Sequence, residues 1–587
     1  MINKIISLLK QHVSDLPSQI NPDFSFSDFG LDSNASISIA AALSQYVGFE
    51  ISAIELQKYE SIRSAAEEIV RKMGGNSNSD EKIKEKEFND ENGSNSENEG
   101  KKQKKDKKDK KKSKKQKNSQ FSSSAPSKRV YSTVEEYYII PKIPEVHKET
   151  KRMDLMKRVV GSDVPYLRIS DGVNDDQIII ESKPYINYTS YNYLGLSGDK
   201  RVTRFAQQCI ARFGTSVSSS RVVGGTRIIH YQLERALASM VGAEDALLYV
   251  GGFMANESTI GHFMKEPDLI VYDILAHSSI VQGNRNSHAT AIPFPHNDVA
   301  ALDQLLIKQR KYHKKCMIIA EGVYSMDGDV CDLPGLIEIK KKHKAILFID
   351  EAHSIGVMGD HGRGVGEYFK INTKDVDLWM GTLSKSFASC GGYIAGTHSL
   401  IDFLRGTSPG FIYSAGMPPA QVGAALASAM IIKKEQWRVQ KLHKNAEYFK
   451  DLLIERGFNA GNSGLGSVIP CIIGTSENTL RLADHLHKRG VEASPYYAPA
   501  VEEGKARIRF FISSTHTFEE LKFTADVMKE EFDIILKHKL GDNQVKDPSY
   551  RKRWKGGAKK QVVDTVAKIG VGIVLASIIL FLIWVLY

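Results

Sequence analysis

The sequence predicts an α/β fold on a mostly parallel sheet, with a small helical bundle ahead of it and one apolar helix behind it. Three observations carry this prediction. Short aliphatic runs (DALLYV, CMIIA, AILFID, DLWMGT) alternate with helix-like stretches such as HYQLERALASMV across residues 127–545. That alternation is the pattern of parallel strands covered by helices on both faces. A polar tract at 73–126 separates this region from residues 1–72, and the nineteen residues Ile569–Tyr587 carry no charge.

Composition narrows the function classes. The 587-residue chain has a formal net charge of +10. Twelve Lys and two Asp between residues 101 and 117 account for that whole excess, so the rest is neutral on balance. A basic total concentrated in one run is no sign of a nucleic-acid-binding fold, and no nucleic-acid partner is expected. Five cysteines, none at CxxC spacing, exclude a disulfide scaffold and a Cys-based zinc site. A hydrophobic content of 42% excludes a wholly disordered chain. The N-terminus, MINKIISLLKQHVSD, has no signal-peptide pattern.

Residues 1–72 read as a helical bundle. Ile5, Ile6, Leu8 and Leu9 mark one helix, and ASISIAAALSQYV and SIRSAAEEIVRK mark two more. Between them DFSFSDFGLDS ends in Ser33, at the start of the second helix. Asp32 or Ser33 can serve there as a helix cap. The free N–H groups and dipole of a helix start also suit a phosphodiester. Residues 73–126 have no apolar period and cannot offset the entropy of ordering, which predicts a disordered linker. It reads first as a solvated spacer, with contact to an anionic membrane or RNA left open.

At the other end, nineteen helical residues span about 28 Å, close to a bilayer core of about 30 Å. Seven Lys and Arg from Arg551 to Lys568 precede them, as on the cytosolic side of a membrane span. Ile569–Tyr587 is therefore predicted to be a C-terminal transmembrane helix after a basic segment at 546–568, with the body of the chain in the cytosol. A buried terminal helix is the alternative.

The chemistry-bearing residues sit where strand-like runs end. Lys385 follows DLWMGT in a loop rich in Ser and Gly. A lysine at a strand C-terminus is placed to form a Schiff base with a carbonyl cofactor. Asp350 ends AILFID, with His353 three residues on. A carboxylate there can keep a pyridine nitrogen protonated, and the histidine can bond a phenolic oxygen. DALLYV runs into Gly251, Gly252 and Phe253, a backbone open to a phosphate, to which Thr382 adds a hydroxyl. His277 lies just past another strand, where a flat ring can stack on a cofactor.

These runs together resemble the α-oxoamine synthases, pyridoxal phosphate (PLP) enzymes of fold type I. The matching motifs are NYTSYNYLGL (187–196), GGTRIIHYQLE (224–234), GGFMAN (251–256), EGVYSMDGD (321–329), DEAHSIG (350–356), GRG (362–364), GTLSKSF (381–387) and ARIRFFISSTHT (506–517). The resemblance implies a large domain with a mostly parallel sheet and a small C-terminal α+β domain. It implies Lys385 as the Schiff-base lysine, Asp350 at the pyridine nitrogen, and His353 and Ser325 at the phenolic oxygen. His277 is implied as the stacking and catalytic histidine, and Gly252, Phe253 and Thr382 as the phosphate site. Arg509 is implied at the substrate carboxylate, with Asn192 near the substrate. No metal is implied.

Within the family the motifs look most like the serine palmitoyltransferase catalytic subunit. That implies L-serine and a long-chain acyl thioester as substrates, 3-ketosphinganine as product, and an endoplasmic reticulum membrane as the site. The dimer is implied to be either a homodimer or a heterodimer with a related subunit. Glycine or alanine in place of serine remains open, as does a noncatalytic membrane subunit, against which the presence of Lys385, Asp350, His353 and Arg509 argues. Residues 1–72 resemble acyl carrier proteins, which implies 4′-phosphopantetheine on Ser33, although Asn34 stands where that family usually has an apolar residue. A flexible linker of about fifty residues reaches near 40 Å and raises the local acyl concentration into the mM range.

Overall fold

The structure, a computed structural model, describes residues 61–72, 134–160, 165–464 and 466–537, with helical positions at 2, 5–7, 9, 39, 42–44, 46 and 47. It divides into two compact units, Met1–Glu135 and Glu136–Tyr587.

In the first unit Ile5 and Leu9, Ile39 and Leu43, and Ile62, Ala65, Ala66 and Ile69 are buried. Spacings of three and four give each helical stretch one apolar stripe, the pattern of a bundle core. The helix Ile62–Lys72 starts with a reciprocal cap: Ser64 N–H donates to Ser61 Oγ (3.1 Å), and Ser61 N–H to Ser64 Oγ (3.0 Å). Ser33 and the expected linker at 73–126 lie outside the described residues.

In the second unit the helix Pro144–Val160 precedes three short strands, β1 (Ser170–Asp171), β2 (Gln177–Ile180) and β3 (Lys183–Asn187). The main sheet follows: β4 (Asp245–Tyr249), β5 (Leu269–Asp273), β6 (Thr290–Phe294), β7 (Cys316–Glu321), β8 (Ile346–Asp350), β9 (Leu378–Thr382) and β10 (Gly392–Gly396). Its order is β4-β10-β9-β8-β7-β5-β6. Pairs from β9 through β6 are parallel, and β10 runs antiparallel between β9 and β4. Successive residues alternate between two cores. Ile318, Leu347, Ile349 and Trp379 join one, while Met317, Ile319, Phe348 and Met380 join the other. Burial on both faces explains why these strands read as unbroken aliphatic runs.

The chain then builds a smaller sheet from β11 (Val468–Gly474), β13 (Ser494–Tyr496) and β14 (Ala506–Phe511), in the order β11-β14-β13 and antiparallel throughout. The intervening β12 (Val491–Glu492) pairs with β3 instead. The expected large sheet domain and small α+β domain are both present.

The expected membrane helix is corrected. Among the described residues no helix is long and apolar enough to cross a membrane. The two longest helices, Trp437–Glu455 and Phe518–Lys537, keep charged side chains along their length, as a helix packed by one face on a protein core must. The basic segment 546–568 and the run Ile569–Tyr587 lie outside the described residues. The fold class is therefore fold type I α/β preceded by a carrier-like bundle, and the membrane helix is dropped from it.

Candidate active site

The site is built on the C-terminal ends of adjacent parallel strands, where an open α/β sheet leaves a crevice. Register places Glu321 of β7 beside Asp350 of β8, and Asp350 beside Met380 of β9. Thr382 ends β9, and Lys385 stands in the turn that follows. His277 lies four residues past the end of β5.

Lys385 is half-buried, and among the described residues no hydrogen bond or ion pair holds its Nζ, which lies 5.7 Å from the centre of the Tyr191 ring. Desolvation pushes its ammonium down to about 8, helped by Arg509 and opposed by Asp350 and Glu321. A lysine tuned this way carries free amine near neutral pH, the form that attacks a carbonyl. Asp350 is buried and held by neutral donors: Asn256 Nδ2 donates to Oδ2 (2.7 Å) and the Ala352 N–H to Oδ1 (2.9 Å). Among the described residues no cation lies within ion-pair distance of it. A buried carboxylate in that state calls for a positive partner, and a protonated pyridine nitrogen fits.

His353 is buried and its Nδ1 meets the Tyr193 hydroxyl at 2.9 Å. Burial pushes the imidazole well below its ordinary range and pushes the Tyr193 phenol up. The phenol therefore keeps its proton and the imidazole is neutral; where the phenol is the donor to Nδ1, the ring's N–H stands on Nε2. The His353 ring stacks on Phe511 at 6.2 Å. His277 caps the helix Ser278–Ser287, its Nδ1 meeting Ser279 Oγ at 2.7 Å, and its ring lies edge-on to Phe253. Its backbone N–H donates to Glu321 Oε1 at 2.6 Å.

The glycines mark a close approach of three elements. A Cβ on Gly252, the first residue of the helix Gly252–Phe263, would stand 2.8 Å from Thr382 Oγ1. A Cβ on Gly392 would stand 2.7 Å from the Gly252 Cα. The helix start, the end of β9 and the start of β10 thus converge, and free N–H groups gather there as at phosphate sites. The Thr382 hydroxyl donates to the Gly391 carbonyl (3.2 Å) and accepts from the Ser384 N–H (3.3 Å), so it also shapes the turn that carries Lys385.

Arg509 comes from β14 of the small domain. It is buried, and its guanidinium lies 4.1 Å from the Tyr496 ring centre and 4.4 Å from that of Phe511. Nη1 donates to the Ser325 carbonyl (2.7 Å) and Nη2 to the Tyr496 hydroxyl, while Nε has no partner among the described residues. Among the described residues no carboxylate pairs with it. A buried guanidinium without an anion suits a substrate carboxylate.

One expected residue is engaged by its own loop, and two others were missed. The Asn192 amide is used by its own loop: Oδ1 accepts from Leu196 and Ser197 N–H (2.8 and 3.0 Å), and Nδ2 donates to Asp175 (3.1 Å). The structure does not bring that amide to the crevice; its neighbour Tyr191 lies beside Lys385 instead. Glu321 and Asn256 were not singled out. Burial, then the charge of Asp350, push the Glu321 carboxyl well above its usual range. Its signal was available, because CMIIAE ends in a carboxylate just as AILFID does. Asn256 sits four residues after Gly252, one helical turn along GGFMAN.

Residues 183–527, more than half of the chain, match the aminotransferase class I and II family. An 8-amino-7-oxononanoate synthase of Thermosipho melanesiensis is 36% identical over 376 residues, 64% of this chain and 94% of the relative. A serine palmitoyltransferase of Sphingobacterium spiritivorum is 35% identical over 367 residues, 62% and 91% of the two chains. The chain belongs to the α-oxoamine synthases. These PLP-dependent acyltransferases share its fold: the solved serine palmitoyltransferase of Sphingomonas wittichii superposes with a TM-score of 0.64 at 27% identity, over 67% of this chain and 98% of that one. Residues 3–69 match the phosphopantetheine attachment site, which makes the first unit a carrier-type domain. The relatives named are bacterial, and bacteria have no endoplasmic reticulum. With no membrane-spanning helix among the described residues, the expected endoplasmic reticulum anchor is withdrawn.

Proposed function

We propose that this α-oxoamine synthase joins a small amino acid to an acyl group delivered on the phosphopantetheine arm of its own first unit, with Ser33 as the attachment point. A carbon–carbon bond forms between the amino-acid Cα and the acyl carbon, carbon dioxide and a thiol leave, and an amino ketone results. The observation that carries the reading is the buried Arg509 guanidinium, with no carboxylate partner among the described residues, in a crevice that also holds a lysine tuned to about 8. When bound, PLP supplies the electron sink that makes Cα chemistry possible.

Lys385 would hold that group through its free amine, and it is the base placed to take the Cα proton. Asp350, aligned by Asn256, would keep a proton on the ring nitrogen. His353, held by Tyr193, would bond the phenolic oxygen, a role Ser325 would share. Gly252, Phe253 and Thr382 would receive the phosphate, and His277 would stack on the ring. Arg509 takes the substrate carboxylate in a charge-assisted bond of about 1.5–3 kcal/mol net.

L-serine and a long-chain acyl thioester are the first reading, supported by the serine palmitoyltransferases among both relatives and solved structures. Alanine is the second, supported by 8-amino-7-oxononanoate synthases, whose named product carries a methyl group on the amino carbon. A mass-spectrometric product assay with serine, alanine and glycine against coenzyme A-bound and carrier-bound acyl donors tests both. Amino ketone from one amino acid assigns the substrate, and none from any pairing overturns the reaction. Intact mass after co-expression with a phosphopantetheinyl transferase tests the arm. One added phosphopantetheine in wild type and none in Ser33→Ala is expected; no addition leaves coenzyme A as the donor.

A further inference from the structure

The loop that carries Ser325 is gripped from both domains. After β7 the chain folds through Tyr324–Val330, closed by Tyr324 N–H to the Asp329 carbonyl (3.0 Å) and Gly328 N–H to the Tyr324 carbonyl (2.8 Å). From the small domain, Arg509 holds the Ser325 carbonyl at 2.7 Å. Arg507 holds the Met326 carbonyl (3.0 Å) and Asp327 Oδ1 (2.6 Å), and Gly464 N–H reaches the Gly328 carbonyl (3.0 Å).

From the large domain, two consecutive residues beyond β6 do the holding. His296 sets Nδ1 on the Asp273 carboxylate (3.0 and 3.1 Å) and Nε2 on Asp329 Oδ2 (2.8 Å). Asn297 repeats the bridge, with its N–H on Asp273 Oδ2 (2.9 Å) and its amide on Asp329 Oδ2 (2.9 Å) and the Val330 carbonyl (3.1 Å). An imidazole that meets a carboxylate at each nitrogen donates from both and is an imidazolium. Burial pushes it down, but the bonds to Asp273 and Asp329 prevail and raise it to about 10. Asp273 ends β5, four residues before His277, so this one cation ties the His277 segment to the Ser325 loop.

We propose that His296 is a positioning residue for the amino-acid subsite: it clamps the Tyr324–Val330 loop to the end of β5, and so keeps the Ser325 carbonyl where it orients Arg509 for the substrate carboxylate. This rests on the reading of Arg509 as the carboxylate grip. Without the imidazolium, Asp273 and Asp329 lose their shared cation and repel. The loop is then tied to β5 only through the Asn297 bridge, and the Ser325 carbonyl, one of the acceptors that orient Arg509, is less firmly placed.

The test uses the full-length, PLP-loaded protein and His296→Gln. Hydrogen exchange at the Tyr324 and Gly328 amides reads the clamp, and titration of the cofactor absorbance with serine or alanine reads the subsite. Faster exchange across Tyr324–Val330 is expected, with the strands of the main sheet unchanged. The amino-acid dissociation constant should rise about tenfold while the KM for the acyl donor stays within about twofold. Should that variant fail to fold, Asn297→Gly keeps the left-handed φ of +53° and removes only the side-chain ties to Asp329 and Val330. A smaller rise in the same direction is expected from it. Unchanged exchange overturns the clamp, and faster exchange with an unchanged dissociation constant overturns the positioning role. If wild type binds no small amino acid, the reading of Arg509 falls, and the exchange result still decides the clamp.

Discussion

Two cations face the same crevice, and the fold treats them in opposite ways. Lys385, at the end of β9, stands near Asp350 and Glu321 without a direct bond to either, and burial draws its proton affinity down to about 8. Arg509, on β14, is packed between the Tyr496 and Phe511 rings and gives its hydrogen bonds to a carbonyl and a hydroxyl. A lysine can surrender its proton when desolvated, so burial makes it a nucleophile and base. A guanidinium stays charged under the same conditions and can be held flat by aromatic faces, so burial makes it a fixed anion receptor. The difference shows why the two positions are not interchangeable.

Exchanging their chemistries should produce the largest effects. Lys385→Ala is expected to abolish the visible absorbance of lysine-bound PLP and lower turnover by at least about 10²–10⁴-fold, with the fold retained by circular dichroism. Lys385→Arg should be as inactive, because charge without a removable proton does not serve. Substantial turnover in Lys385→Arg would break the comparison.

Arg509→Lys should act on the other side. The absorbance of lysine-bound cofactor should persist, while the KM for the amino acid rises by roughly ten- to a hundredfold, as expected for about 1.5–3 kcal/mol of lost charge-assisted bonding. An unchanged KM would show that the substrate carboxylate binds elsewhere.

The pH dependence sharpens the lysine half. Uptake of PLP by the apoprotein should speed up as pH rises through about 8 and then level off, since only the free amine attacks. The folded protein binds its Lys385 proton less tightly than an unfolded chain does, so the unfolded state holds more protons between about 8 and the ordinary lysine value near 10.4. This contribution to apoprotein stability therefore grows with pH across that window and is lost as pH falls through about 8. A midpoint for uptake near 10 would mean that Lys385 is not desolvated.

The smallest effect should come from the phosphate end. Gly252→Ala places a Cβ against Thr382 Oγ1 and should weaken PLP affinity, measured by equilibrium dialysis, while the amino-acid KM of the loaded enzyme changes little. Thr382→Val should cost less, about the 0.5–1.5 kcal/mol of one neutral hydrogen bond.

Much of this site was legible before any coordinates. Strand ends announce themselves when an aliphatic run stops at a carboxylate or at a Gly- and Ser-rich turn, and Asp350 and Lys385 both do so. Gly252 was legible because a backbone must approach closely there. At Asn192 the motif position did not say which way the amide turns; here two backbone N–H groups of its own loop claim the oxygen. The membrane helix was read from nineteen uncharged residues, and length and hydropathy report only what a segment is able to do.

By itself the sequence determined the alternation of strands and helices, the carrier-type domain ahead of the enzyme, and the candidate Schiff-base lysine, because each rests on periodicity or on a local motif. Only the tertiary structure decided which side chains flank them. Tyr193 meets His353 across 160 residues, Tyr496 roofs Arg509 through the pairing of β13 with β14, and His296 joins Asp273 to Asp329. Such contacts depend on strand order and register, which bring together residues far apart in the chain. Burial among those neighbours then sets whether a cation keeps its proton.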